Sequence, residues 1–377
     1  MFPKRILPTA TTDRAADRSD LRACGHCLAV LLIASAVMLL DGSRALADDE
    51  ITVSRIAFGS CAKQDRPQPI WDAVVASDPQ LFLFIGDNIY GDTEDMAILK
   101  QKWEMLGAQP GYQKLKSTCR VLATWDDHDY GKNDAGVGYP FKRESQQIFL
   151  DFFEEPADSP RRTREGVYGS YEFGPPERRV QILLLDTRYH RSDLVRHDDP
   201  REPGEGDRGP YGRQLDPRAT MLGHAQWKWL EEQLLRPAKV RIIASSIQVI
   251  ADGHRWEKWG NLPLERQRLF ELIRRTKANG VVLISGDRHS AEISGLDLGD
   301  GMWLFDVTSS SLNMPSKWHT ERNVHRRGTK YVDENFGMIE IDWEAADPVL
   351  RLQVRDIEGK TVLQERVLLS RLNPSGQ

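Results

Sequence analysis

The sequence predicts an α/β domain on three observations. Short apolar runs of strand type recur through residues 52–307, helix-period segments separate several of them, and the tail changes to strict alternation. The runs are 52–58, 81–85, 121–125, 180–185, 240–245, 281–284 and 302–307, apolar enough for strands buried on both faces. Between them, 69–76, 142–153, 224–235 and 264–277 repeat apolar residues at spacings of three and four. Segments 338–343, 349–356 and 361–369 alternate apolar with polar residues around Glu358-Gly359, which predicts a C-terminal antiparallel meander closing one sheet. Residues 155–223, rich in Pro, Gly, Arg and Asp, are expected to be loop insertions.

The 377 residues carry 51 Lys and Arg against 56 Asp and Glu, a net charge of -5. No basic excess supports a nucleic-acid partner. Residues 28–40 form an uncharged apolar run, shorter than the ~20 residues a membrane-spanning helix needs. Basic residues precede it, and Ala45-Leu46-Ala47 follows before acidic Asp48. This order predicts a secretory signal at 1–47, a mature chain at 48–377 without a membrane span, and a periplasmic or extracellular location.

Four strand ends carry groups able to hold metal: Gly59-Ser60-Cys61, Gly86-Asp87-Asn88-Ile89-Tyr90, Trp125-Asp126-Asp127-His128-Asp129 and Gly286-Asp287-Arg288-His289. In an open α/β sheet such ends share one edge and converge on one crevice. A lone Gly-Asp is ordinary turn chemistry. Four such endings would crowd acids together without neutralisation, and a pair of metal ions removes that repulsion. Cys119 precedes its strand whereas Cys61 follows its own, which argues against a disulfide between them.

These motifs, with Leu185-Asp186-Thr187-Arg188, resemble the alkaline phosphatase D (PhoD-like) family of calcineurin-like metallophosphoesterases, in family order over residues 52–343. The resemblance implies a four-layer α/β/β/α sandwich with a dinuclear site at its loop edge. Many members carry an immunoglobulin-like domain first; here the opening motif follows the predicted cleavage so closely that a catalytic domain alone is expected. The implied activity is phosphoric ester hydrolysis, on monoesters or diesters, by a hydroxide held between two ions that attacks phosphorus in line. A phospholipase D-like phosphodiesterase and a non-catalytic metal- or phosphate-binding protein are the alternatives.

By resemblance, Cys61, Asp87, Tyr90 and His289 hold Fe(III), with Asp87 bridging to a second ion bound by Asp127 and Asp287. Oxygen ligands of this kind suit calcium, with manganese or magnesium next. Gln248 either completes that set or hydrogen-bonds within its loop. His128 is expected to protonate the leaving group, with Asp129 orienting it. Arg188 and Arg288 are either phosphate clamps or partners of site carboxylates. His254, Glu257 and Trp259 are expected to shape the pocket for a small phosphate ester.

Overall fold

A computed structural model describes residues 51–197, 209–317 and 321–374. The predicted signal at 1–47 and its apolar run lie outside the described residues. Among the described residues no helix is long and apolar enough to cross a membrane.

The first sheet grows from β1 (Arg55–Gly59), β2 (Leu81–Ile85) and β3 (Arg120–Thr124), three parallel neighbours. The tail completes it as β10 (Asn335–Asp342), β11 (Val349–Asp356) and β12 (Thr361–Leu368), giving the order β12-β11-β10-β1-β2-β3. Both junctions of the tail are antiparallel, and β10 pairs antiparallel with β1, as the alternation predicts. Gly359, at φ +80, makes the turn between β11 and β12.

The second sheet runs in the order β4-β5-β6-β7-β9-β8. Its parallel centre is β5 (Val180–Leu184), β6 (Val240–Ala244), β7 (Val281–Ser285) and β9 (Trp303–Ser309), flanked by antiparallel edges β4 (Gly169–Phe173) and β8 (Ala291–Asp297).

Strand periodicity divides the core into layers. Ile56, Phe58, Leu83 and Ile85 face Ile182, Leu184, Ile242 and Ile284 between the sheets. Ala57, Phe82 and Phe84 turn outward onto α1 (Ile70–Ala76), α2 (Met96–Gly107), α3 (Pro110–Thr118) and α5 (Lys142–Phe152). On the far side Leu183, Ile243 and Leu283 meet α7 (Gly223–Leu234) and α8 (Pro263–Arg275). Two short helices, α4 (Asp127–Tyr130) and α6 (Pro160–Thr163), lie in loops. The result is the four-layer α/β/β/α sandwich.

Besides the two short loop helices, β4, β8, α2 and α3 were not expected from the sequence. β4 and β8 are edge strands of mixed composition, held by pairing with β5 and β9 rather than by an apolar run of their own. Helix α2 carries a legible pattern, burying Leu99, Trp103 and Leu106 and starting where the Asp95 carboxylate accepts from the backbone N–H groups of Ala97 and Ile98. Helix α3 starts on Pro110.

Candidate metal centre

The C-terminal ends of β1, β2 and β3 lie side by side in parallel register, and those of β6 and β7 complete the same edge from the other sheet. Cys61, Asp87, Asp287 and His289 follow these ends, and all four have left-handed backbones, at φ 60, 50, 69 and 51. Such values are uncommon for residues with a Cβ, and their concentration here marks a site where the backbone bends to aim side chains. Gly86 permits the close approach: at φ +109 a Cβ there would lie 2.5 Å from that of Asp126.

Among the described residues, Cys61, Asp87 and His289 bring one ligand atom each within 4.8 Å of one another, and so do Asp87, Asp126, Asp127 and Asp287. Asp87 also joins Asp127 and His128, so it links three such groups, while a further one among the described residues, Asp127, Asp134 and Glu257, shares Asp127 instead. The Tyr90 hydroxyl lies 3.1 Å from His289 Nε2 and the Cys61 thiol donates to Asp87 Oδ2 over 3.4 Å. The sequence-predicted residues Cys61, Asp87, Tyr90, Asp127, Asp287 and His289 therefore do meet. Cys61 and Cys119 are both free thiols.

Electrostatics show what this arrangement lacks. Burial, then the charges of Cys61 and Asp127, push the Asp87 carboxyl well above its ordinary range, and burial does the same to Asp287. Burial pushes the Cys61 thiol up to about 11 and His289 down to about 4, leaving a neutral imidazole. Asp87 Oδ1 is buried without a hydrogen-bond partner. An unpartnered carboxylate oxygen amid acids, beside a thiol, a phenol and a neutral imidazole, fits a pair of cations, which would bring the raised carboxyl and thiol groups down and keep the imidazole neutral. The Cys61/Tyr90/His289 side is softer, while the Asp127/Asp287 side offers only oxygen.

His128 is largely buried, its Nδ1 2.8 and 2.9 Å from the two Asp92 oxygens and its ring 4.3 Å from that of Tyr90. Burial would lower its pKa, but the carboxylates of Asp127 and Asp92 outweigh it and raise it to about 9. Burial likewise opposes the charge of Asp127, yet His128 and Arg188 hold it below the ordinary carboxylate range.

Several expectations are corrected. Asp129 does not orient His128: it accepts from the backbone N–H groups of Ile89 and Asp126 and from Asn88, tying two strand-end loops together. Arg188 is fully buried, bonded to Asp126 Oδ1 at 2.5 Å and Glu257 Oε2 at 2.6 Å, so it pairs with carboxylates rather than clamping phosphate. Glu257 also binds Arg191 at 3.0 Å, which makes it a counter-charge and not a pocket wall. Arg288 pairs with Glu321 at 2.7 Å. Gln248 spends its nitrogen on Glu292 and Thr308 and its oxygen on His254, each at 2.9 Å, which is the loop hydrogen-bonder alternative. Trp259 is core, donating to Ser245 and meeting Trp227 edge to face.

The sequence reading missed Asp92, Asp126 and Asp134. Asp126 receives Arg188 and Ser246, and its Oδ2 is buried without a hydrogen-bond partner. The Asp134 backbone N–H donates to Asp127 Oδ2 at 2.6 Å, fixing that carboxylate. Asp126 stands inside a quoted motif, whereas Asp92 and Asp134 sit in loops where no local signal separates them from turn residues.

Comparison with known proteins gives a consistent picture. The family model described as PhoD-like phosphatase matches residues 56–345. Alkaline phosphatase D of Bacillus subtilis (strain 168) is 24% identical over 212 residues, covering 51% of this chain but only 34% of that protein, so the match spans about a third of the relative's length. The structure of PhoD superposes with a TM-score of 0.65 at 16% identity, covering 85% of this chain and 69% of that one. Purple acid phosphatase PPD1 from yellow lupin (Lupinus luteus) seeds gives a TM-score of 0.55 at 14% identity, covering 85% and 54%.

Proposed function

Since the chain belongs to the PhoD-like phosphatase family, we propose that it is a secreted, metal-dependent phosphoric ester hydrolase acting on small phosphate monoesters or diesters. The observation that carries this reading is Asp87, whose unpartnered buried oxygen stands between a Cys–Tyr–His group and an all-carboxylate group. Cys61, Asp87, Tyr90 and His289 would hold Fe(III); Asp87, Asp127 and Asp287 would hold calcium, or manganese or magnesium. When bound, such ions supply Lewis-acid polarisation of the phosphoryl oxygens and a lowered pKa for water.

The chain's own residues supply the rest. His128 holds a proton at neutral pH and offers Nε2 for transfer to the leaving oxygen, because Nδ1 is engaged by Asp92. The ion pairs of Arg188 with Asp126 and Glu257 fix the carboxylate row beneath it. Export is supported by the basic, apolar and small-residue order of residues 1–47.

The test is elemental analysis of the purified mature chain, followed by assay on p-nitrophenyl phosphate and bis(p-nitrophenyl) phosphate. Two metal equivalents, with turnover lost on chelation and restored by iron and calcium, are expected. A protein that takes up no metal and hydrolyses neither ester after both are supplied would contradict the reading.

A further inference from the structure

A cavity of about 280 Å³ is lined, among other described residues, by Tyr211, Arg213, Asp252, His254, Arg255 and Lys258. It adjoins the candidate metal centre through hydrogen bonds. The Tyr211 hydroxyl donates to Asp134 Oδ2 at 2.5 Å, and the Asp134 N–H donates to Asp127 Oδ2 at 2.6 Å.

The lining is rich in positive charge. Lys258 is only 4% exposed, and its ammonium donates to the His254 carbonyl while standing 4.0 Å from Asp252 Oδ1, outside hydrogen-bond range. An ammonium carries three donors, so that bond leaves two. Asp252 is already shared, since its Oδ2 takes Arg213 at 3.2 Å and Arg266 at 3.4 Å. Burial pushes the Lys258 ammonium down to about 8, and Asp252, shared with two arginines and 4.0 Å away, offsets only part of that penalty. A small anion in the cavity would relieve it.

We propose that this cavity is an anion subsite that receives the second phosphoryl group of a substrate whose first sits at the carboxylate cluster. Whole small-molecule sites run to roughly 300–1,000 Å³, so this volume suits one anionic group rather than an entire ligand. The inference rests on the hydrolase reading and narrows it to substrates bearing two phosphoryl groups.

The test compares a series of α,ω-alkanediol bisphosphates of increasing length with the matching monophosphates, on metal-loaded wild type, Lys258→Met and Arg213→Gln. The Arg213 side chain is 64% exposed, so its substitution leaves folding intact. At the best length the bisphosphate is expected to have a KM about tenfold below its monophosphate, and each variant is expected to erase most of that preference. Equal KM values at every length, or a preference that both variants keep, overturn the subsite. Equilibrium dialysis of the same pairs separates the two readings. A Lys258-dependent binding preference in a protein that turns over no ester sustains the subsite and removes the hydrolase reading. Lys258-dependent binding of inorganic phosphate with no bisphosphate preference assigns the cavity to free phosphate and overturns the proposal.

Discussion

His128 and Asp92 form a dyad across 36 residues of sequence, the imidazole Nδ1 lying within 2.9 Å of both carboxylate oxygens. The contact fixes the ring and directs its other nitrogen away from Asp92. It also raises the imidazole pKa to about 9, together with Asp127 and against burial.

Asp92→Asn removes one of the carboxylates that, with Asp127 foremost, raise His128. Protonated His128 contributes stability that is fully present below its unfolded pKa of about 6.5 and is lost as pH rises through about 9. The variant should therefore be less stable than wild type at neutral pH and below, the deficit closing as pH rises through about 9, and show the alkaline limb of kcat/KM moved to lower pH. We expect kcat to fall by about tenfold to a hundredfold, less than His128→Ala, which removes the acid altogether. A pH–rate profile identical to wild type would contradict the dyad.

Asp87→Asn should cost both ions, because Asp87 belongs to both clusters. Elemental analysis is expected to show loss of both metals and activity to fall at least about a thousandfold. The metal-free variant should nonetheless melt above metal-free wild type. An acid whose folded pKa is raised penalises folding once it ionises, and the amide removes that penalty.

The same sign governs pH. Asp87 and Asp287 are both raised, so stability of the metal-free protein should decline as pH climbs from about 4 into the neutral range. Metal-loaded protein should show a much flatter profile over that window. Thermal melts with and without chelator measure the difference.

Tyr90→Phe should abolish a visible charge-transfer band of iron-loaded protein, since Tyr90 is the phenol beside His289. Retention of the band in the variant would remove Tyr90 from the ligand set.

Arg188→Ala tests the corrected role. Removing a fully buried guanidinium leaves Asp126 without its cation and Glu257 with Arg191 alone, a cost of about 3–5 kcal/mol. A large fall in melting temperature is expected. A rise in KM at unchanged stability would restore Arg188 as a phosphate clamp.

The parallel strands were legible because burial on both faces makes them unbroken apolar runs, as in β2 and β7. Edge strand β4 has no such signature, since its order comes from pairing Tyr171 with Ile182 and their neighbours. At the site, Cys61, Asp87, Asp287 and His289 were legible because unusual residues follow strand ends. Their surroundings were not. Arg188 meets Asp126 and Glu257 across 62 and 69 positions, and Arg288 meets Glu321 across 33, separations at which sequence carries no sign of who pairs with whom.

The donors divide between the two sheets: Cys61, Asp87, Tyr90 and Asp127 follow strands of the first, Asp287 and His289 follow β7 of the second. Neither half can assemble the full set alone. An ion held by donors of both halves would be acquired only after the two have docked, so metal loading would come at the close of assembly and work as a latch on a finished fold rather than as its nucleus.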